Sequence, residues 1–472
     1  MKEQIAASKK LPVKVKLAYG TGEIAKNLII YLTNYYLLYF YTDIVKIPAA
    51  AATAILLVAR IWSAVNDPIM GIVCDKTRSK HGKCRFYLRN FSVPAGVCIF
   101  LSFFVPELSD MGKIIWVSVT YMVSNTLNTA LNVPMNTFIP RLTDDKYERV
   151  SLTQYKSFMT LIPATLIPAI TLPMSRMFGG GNMQNGFAVT SAIFGAIFTI
   201  CYLICYKVTK RYEKSYQEEY KTGSLAESKE EGKKSETSLK DMLVALIQNK
   251  YCFLAAVGFV LFLVFANIQG STLVYYLQYN IKNTDLMGVY SVISNIAGIL
   301  PIFFLKIFVK KFGNAKTCTI ACFVVVIGEA IRLITRDGFL SVLIIGWGLE
   351  GLGLNLFSAL LAQCMFDSMI YGEWKTGVKI EALTMSILSL GQKIGIAIGG
   401  VVSAYLLTVV HYDADALEQP KAVLNMFFSE NVTLPLVLFL LLAFVYFYLS
   451  KLERKLPGMQ KEIDSRKEKT QS

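Results

Sequence analysis

Apolar stretches of about 20 residues recur from one end of the chain to the other, separated by short polar segments. Each stretch is long enough to cross the hydrocarbon core of a bilayer as an α-helix. The pattern therefore predicts an all-α polytopic membrane protein. The twelve predicted spans lie at residues 18–45, 48–74, 87–106, 113–140, 152–177, 184–207, 249–279, 286–309, 317–335, 339–366, 380–410 and 431–450.

A polar insert at 208–240 separates the first six predicted spans from the last six. It contains many charged and few apolar residues, so it has too little apolar surface to form a core. We interpret it as a cytoplasmic linker between an N-terminal six-helix half, 1–207, and a C-terminal half with a cytoplasmic tail, 241–472. Charged loops occupy matching places in both halves. Such symmetry is typical of transporters that bind their substrate between two related halves.

The charge distribution predicts how the chain is oriented in the membrane. The 48 Lys and Arg residues outnumber the 33 Asp and Glu residues, which gives a net charge of +15. In a soluble protein this excess would suggest nucleic-acid binding, but here the cations concentrate in the tails and in loops such as 75–85 and 310–316. Positive loops stay in the cytoplasm. We expect a multi-pass protein of the plasma (inner) membrane with both termini cytoplasmic and no nucleic-acid partner.

The sequence shows none of the residue patterns that usually mark a secreted protein, a metal site or an enzyme. The basic segment 1–16 lacks the apolar core of a cleaved signal peptide. The nine Cys and two His show no metal-ligand spacing, which predicts neither a zinc nor a haem site. We find no phosphate loop and no nucleophile–base signature. We therefore expect a monomer with no enzymatic activity and no cofactor.

Charged and polar residues follow helical spacing within predicted span two. Arg60, Ser63 and Asp67 are three, four and seven residues apart and share one face of a helix. A charge at this depth is costly and usually faces the protein interior or a water-filled cavity. Asp67 is therefore our first candidate for a working carboxylate. The alternative is that Asp67 forms a structural ion pair with Arg60.

Polar side chains occur at helical spacing in other predicted spans of both halves. They include Lys26, Asn27, Asn128, Thr129, Asn132, Asn136, Lys156, Asn267, Gln269, Glu350 and Lys393. One such stripe would favour hydrogen bonds between helices, but stripes in both halves favour a polar central cavity. Amide and hydroxyl groups match the hydroxyls of a sugar. Two roles are open for the lysines: binding ligand oxygens, or balancing the charge of Asp67 or Glu350.

Glycines recur every four residues in predicted span eleven, at Gly391, Gly395 and Gly399. Small residues at this spacing allow two membrane helices to approach closely. We therefore expect a tight helix contact along this face.

Five segments resemble those of the glycoside–pentoside–hexuronide:cation symporters, the melibiose permease group within the major facilitator superfamily. They are YGTGEIAKN (19–27), FYTDIV (40–45), ARIWSAVNDPIMGIVCDKTRSKHGKCR (59–85), NVPMNTFIPRLTDDKYERVSL (132–152) and DSMIYGEWKTGVKIEA (367–382). The resemblance implies the major facilitator fold of twelve helices in two six-helix halves. It also implies an alternating-access symporter that couples uptake of a sugar, glycoside or hexuronide to Na⁺, Li⁺ or H⁺.

The resemblance also implies roles for individual residues. Asp67 matches the main cation-site aspartate of the family, and Lys393 matches a lysine near its sites. Lys26, Asn27, Asn132, Asn136 and Lys156 fall at or beside its sugar-contacting positions. With the hydroxyl of Thr129 added as an oxygen donor, the candidate cation-coupling set is Asp67, Ser63, Thr129, Asn132 and Lys393. With Asn128 added from its helical spacing to Asn132 and Asn136, the candidate substrate-binding set is Lys26, Asn27, Asn128, Asn132, Asn136, Lys156 and Lys393.

The chain departs from melibiose permease in ways that bear on the coupling ion. It has Asn27, Ser63 and Asn132 where melibiose permease has aspartates, and Asn136 where that protein has a tryptophan. Hard cations prefer several oxygen ligands including carboxylates, whereas a proton needs only one carboxylate. We therefore expect H⁺ rather than Na⁺, with a Na⁺ site at Asp67 as the alternative. Two other functions stay open: transport of another amphiphilic or anionic solute, and a non-transporting membrane sensor.

Overall fold

The computed structural model describes residues 11–77, 83–142, 146–210, 249–336, 338–377, 381–416 and 418–471. Across these ranges the regular elements are helices. The chain divides into two compact units, Met1–Lys234 and Ser235–Ser472. The predicted linker falls largely outside the described residues, so its structure stays a prediction.

The first unit contains six helices, one at each of the first six predicted spans. They are α1 (Val13–Tyr39), α2 (Ala49–Lys76), α3 (Lys83–Ser102), α4 (Asp110–Leu142), α5 (Lys146–Gly179) and α6 (Met183–Val208).

The second unit has helices at the remaining six predicted spans and one beyond them. They are α7 (Lys250–Tyr275), α8 (Leu286–Phe312), α9 (Asn314–Thr335), α10 (Leu340–Thr376), α11 (Glu381–Val409), α12 (Lys421–Phe428), α13 (Leu434–Glu453) and α14 (Leu456–Gln471). A π-helical turn, Ser429–Thr433, joins α12 to α13, so these two form the twelfth span. The tail helix α14 packs against α10.

The first helices of the two units end in the same way. A five-residue π-helical turn extends α1 over Phe40–Ile44 and α7 over Tyr276–Asn280. The residue two positions after each turn, Lys46 or Lys282, has a positive φ, of 66° and 58° respectively. This conformation is uncommon for a residue other than glycine.

Eight helical segments among the described residues are long and apolar enough to cross a membrane. They are Ala49–Cys74, Ser151–Gly179, Met183–Val208, Lys250–Asn280, Asn314–Thr335, Leu340–Thr376, Leu390–Val409 and Lys421–Glu453. Helices α1 and α4 have sufficient length, but polar side chains such as Asn27 and Asn132 interrupt their apolar sequence. Helices that line a polar site are expected to be less apolar than those that face lipid.

Close packing sets the positions of the helices in each unit. In the first unit α1 packs against α5 and α6, and α2 packs against α4. In the second unit α9 packs against α10 and α13, and α11 packs against α7. A Cβ atom at Gly395 would lie 2.7 Å from Leu263 Cβ, and one at Gly399 would lie 2.6 Å from the carbonyl oxygen of Val264. The predicted tight contact along the glycine face of span eleven is thus confirmed.

Candidate functional site

A buried carboxylate, Glu23, lies between two lysines in the first unit. Its exposed fraction is 2%. Its Oε1 is 3.0 Å from Lys156 Nζ on α5, and its Oε2 is 3.9 Å from Lys26 Nζ on α1. A buried charge requires such partners, because removing it from water is costly. Glu23 therefore pairs with both lysines. The alternative that these lysines balance the charge of Asp67 or Glu350 stays a prediction.

Asn27 extends this cluster across the contact between α1 and α5. Its Nδ2 donates to the carbonyl oxygen of Glu23 at 2.9 Å, to Glu23 Oε2 at 3.4 Å and to Thr160 Oγ1 at 3.3 Å. Thr160 in turn donates to the carbonyl oxygen of Lys156 at 3.1 Å. The structure thus brings together three predicted substrate-binding residues, Lys26, Asn27 and Lys156. With Glu23 they form a cluster whose formal charge is +1, because two ammonium groups face one carboxylate.

The amides of α4 form a second polar group in the same unit. Asn132 Nδ2 donates to Asn128 Oδ1 at 3.1 Å. The hydroxyl of Tyr202, which is fully buried on α6, donates to Asn132 Oδ1 at 3.1 Å. These two bonds fix the orientation of the Asn132 amide. The side chain of Asn136 lies outside the described residues, so its role stays a prediction.

Asp67 of α2 is held by a residue of α4. The hydroxyl of Thr129 donates to Asp67 Oδ1 at 2.9 Å. Asp67 is half-buried, and Thr129 is buried. Ser63 lies one turn before Asp67 and is half-buried as well. Arg60 Nε is buried and has no hydrogen-bond partner within the described part of the chain.

Lys393 is half-buried on α11 and belongs to the second unit. Asp67 belongs to the first unit, so the implied proximity of Lys393 to Asp67 stays a prediction. Glu350, the acidic residue of span ten, lies in the second unit, where Arg332 is 3.6 Å away.

The sequence-based interpretation missed Glu23 although it lies inside a quoted segment. Its spacing of three and four residues from Lys26 and Asn27 was a usable signal, because such residues face the same way on a helix. The pairing with Lys156 had no sequence signal, since the two residues are far apart in the chain. Tyr202 was missed for the same reason.

Residues 18–454 match the family described as MFS/sugar transport protein. The match covers nearly the whole chain. This chain belongs to that family. Membership in the MFS sugar-transport family confirms the predicted all-α major facilitator fold, and it confirms that the protein is a membrane transporter and not an enzyme.

Two relatives and one solved structure are similar to this chain over most of their length. The isoprimeverose transporter of Lactiplantibacillus pentosus is 30% identical over 458 residues, covering 94% of this chain and 91% of the relative. The putative glycoside/cation symporter YagG of Escherichia coli (strain K12) is 27% identical, covering 91% and 90%. The crystal structure of the nucleoside transporter NupG superposes with a TM-score of 0.60 at 13% identity, covering 92% of this chain and 98% of that one. The resemblance to the glycoside–pentoside–hexuronide symporters is thereby confirmed.

Proposed function

We propose that this transporter imports a sugar or glycoside together with a proton by alternating access, with both chain termini in the cytoplasm. The observation that carries the proposal is the polar cluster of Glu23, Lys26, Asn27 and Lys156 inside a membrane-embedded unit. Its ammonium and amide donors match the hydroxyl oxygens of a sugar. The names of the two relatives, an isoprimeverose transporter and a glycoside/cation symporter, support the same class of substrate.

The lysines of this cluster differ in how firmly they are held by Glu23. Both side chains are 26% exposed, but Lys156 lies 3.0 Å from the carboxylate and Lys26 lies 3.9 Å from it. The longer distance leaves Lys26 free to turn toward a ligand at little cost. We assign Lys156 to positioning Glu23, and Lys26 and Asn27 to binding sugar hydroxyls.

A hexuronide is the second candidate substrate. The cluster carries a formal charge of +1, which a single substrate carboxylate would neutralise. A neutral glycoside would leave that charge in place, where water or a bound anion would have to balance it. Uptake of a glucuronide and of the matching neutral glucoside separates the two candidates directly.

The proposed coupling site is the pair of Asp67 and Thr129. A Na⁺ site here would need further oxygen ligands from residues such as Ser63 and Asn132. Asn132 Oδ1 already accepts the hydroxyl of Tyr202 at 3.1 Å, which weakens it as a cation ligand. A proton needs only the carboxyl group of Asp67. Protonation removes the charge of that group, and this is the step that we assign to coupling.

Uptake into proteoliposomes tests this proposal. An imposed inward proton gradient should drive accumulation of the glycoside, and a protonophore should abolish it. Asp67→Asn should remove accumulation against a gradient and retain downhill exchange, because the amide keeps the shape of the side chain but cannot release a proton. The control is Asp110→Asn, which changes an exposed residue at the start of α4. Accumulation driven by a Na⁺ gradient at fixed pH, with the proton gradient collapsed, would contradict proton coupling.

A further inference from the structure

A group of three ionisable side chains, which includes Glu350, is buried in the second unit. Glu329 and Arg332 lie on α9 and Glu350 lies on α10, and the exposed fraction of each is 0%. Arg332 Nη1 donates to the two carboxylate oxygens of Glu329 at 3.0 and 3.3 Å. Oε2 of Glu350 is 3.6 Å from the same nitrogen. We call these three residues the acid–arginine triad.

Three neighbouring groups contact the triad, and each of them is uncharged. Gln269 of α7 donates its Nε2 to Glu350 Oε1. The carbonyl oxygen of Asn431 accepts from Arg332 Nη1 at 3.1 Å. The ring of Tyr276 lies 5.7 Å from the guanidinium carbon of Arg332. With both glutamates ionised, the triad would therefore have a net charge of −1 in a closed, water-poor site.

The shared guanidinium indicates how this charge is removed. Both carboxyl groups lie at the same nitrogen, Arg332 Nη1, and Oε2 of Glu350 is buried with no hydrogen-bond partner among the described residues. Two ionised carboxylates that share one cation in a buried site repel each other, which favours a proton on one of them. A buried charge without a partner is also strongly unfavourable. We propose that Glu329 and Glu350 share one bound proton, which makes the triad a proton-binding site separate from Asp67.

The triad fits a proton better than a metal cation. Arg332 already occupies both oxygens of Glu329, and its positive charge would repel a second cation. The amide N–H of Gln269 occupies Oε1 of Glu350 in the same way. A cation such as Na⁺ needs several free oxygen ligands, whereas a proton needs only one lone pair.

The triad lies well inside the helices that carry it. Glu329 is six residues before the end of α9 at Thr335, and Glu350 is ten residues after the start of α10 at Leu340. At a rise of 1.5 Å per residue these positions are about 9 and about 15 Å from the helix ends. Release of the proton therefore requires water to reach the triad, so proton release and hydration of this site are coupled.

Infrared spectroscopy of the full-length protein in lipid tests the proposal, because the C=O stretch of a protonated carboxyl group is separate from the carboxylate bands. Among the described residues a further buried acid, Glu430, would contribute to the same band and is removed first. Glu430 is 3% exposed, and neither of its carboxylate oxygens has a hydrogen-bond partner in the described part of the chain. All measurements are therefore made in a Glu430→Gln background at neutral pH without sugar.

In that background the protein should show the protonated-carboxyl band. Glu350→Gln and, separately, Glu329→Gln should each reduce it by one carboxyl group per molecule, because the remaining acid then forms a neutral pair with Arg332. Circular dichroism verifies that each variant folds. Absence of the band in the Glu430→Gln protein, or an unchanged band in both further variants, would overturn the proposal. Loss of the band on adding Na⁺ at constant pH would overturn it in favour of a metal site.

This experiment does not depend on the proposed function. The band is measured without substrate or gradient, so a failure of proton-coupled uptake would leave its interpretation intact. Conversely, a missing band would leave proton coupling through Asp67 untouched.

Discussion

The two units of the chain carry buried charges of opposite balance. In the first unit one acid, Glu23, serves two lysines whose side chains are 26% exposed. In the second unit two acids, Glu329 and Glu350, share one arginine whose side chain is 1% exposed. An excess of partly exposed positive charge suits an oxygen-rich ligand that enters from water. An excess of fully buried negative charge suits a proton. The two helical units thus differ in chemistry because the ratio of buried acids to neighbouring bases differs between them.

The largest expected difference between the units appears when one buried acid is neutralised in each unit separately. Glu23→Gln leaves two lysines without a counter-charge, whereas Glu350→Gln leaves Glu329 and Arg332 as a neutral pair. We expect Glu23→Gln to reduce glycoside uptake on the order of 100-fold, because breaking a buried pair costs several times RT. Glu350→Gln should keep the unfolding temperature within a few degrees of the unmodified protein. Initial uptake rates and thermal unfolding in detergent measure the two effects.

The exposed residue Glu107 provides the matched control, and Glu107→Gln should change neither quantity. If Glu350→Gln lowered the unfolding temperature by more than a few degrees, or if Glu23→Gln left uptake unchanged, the contrast in charge balance between the units would be wrong.

A smaller effect separates the two lysines of the first unit. Lys156→Ala should reduce uptake about 10-fold, the effect of losing a charge-assisted hydrogen bond worth about 1.5 kcal/mol. Lys26→Ala should raise KM several-fold with a smaller change in kcat, because Lys26 is 3.9 Å from Glu23 and is assigned to the ligand. Steady-state uptake kinetics distinguish the two. Equal changes in KM and kcat for both variants would place both lysines in the same structural role.

The smallest effect concerns helix packing, and it again differs between the units. A Cβ atom at Gly22 of α1 would meet the flexible end of Met135, but one at Gly399 of α11 would lie 2.6 Å from the backbone oxygen of Val264. We therefore expect Gly399→Ala to destabilise the protein by about 1–3 kcal/mol, as overpacking usually does. Gly22→Ala should cost clearly less, because the methionine side chain moves aside. Thermal unfolding curves of the two variants measure these losses of stability. A larger loss for Gly22→Ala than for Gly399→Ala would contradict the prediction.

The helices could be predicted from the sequence far better than the site could. All twelve predicted spans coincide with helices because a bilayer requires long apolar segments, and these are visible without any tertiary information. A close helix contact at Gly395 and Gly399 could be predicted as well, because it depends on a four-residue spacing within one helix, but its partner helix α7 could not. Both signals are local in sequence.

The charge pairs could not be predicted because they join different helices. Lys156 contacts Glu23 across 133 residues of sequence, and only the packing of α5 against α1 brings the two together. Glu350 was noticed as a lone acid, but its partners on α9 were not, since nothing local links them. The pairing of Asp67 with Thr129 is different. The family resemblance suggests Asp67 for the cation site and the oxygen chemistry of a hydroxyl suggests Thr129, and the structure places Thr129 Oγ1 2.9 Å from Asp67 Oδ1.

The π-helical turn that ends the first helix of each unit has the same backbone form in both units. The turns have unlike sequences, FYTDI and YLQYN, yet both are five residues long and both lead to a lysine with a positive φ. The hydrogen bonds repeat too: Val45 N–H donates to Phe40 O, and Ile281 N–H donates to Tyr276 O. Two unlike sequences thus reach one backbone form, so the main chain rather than any particular side chain sets the geometry of these helix ends.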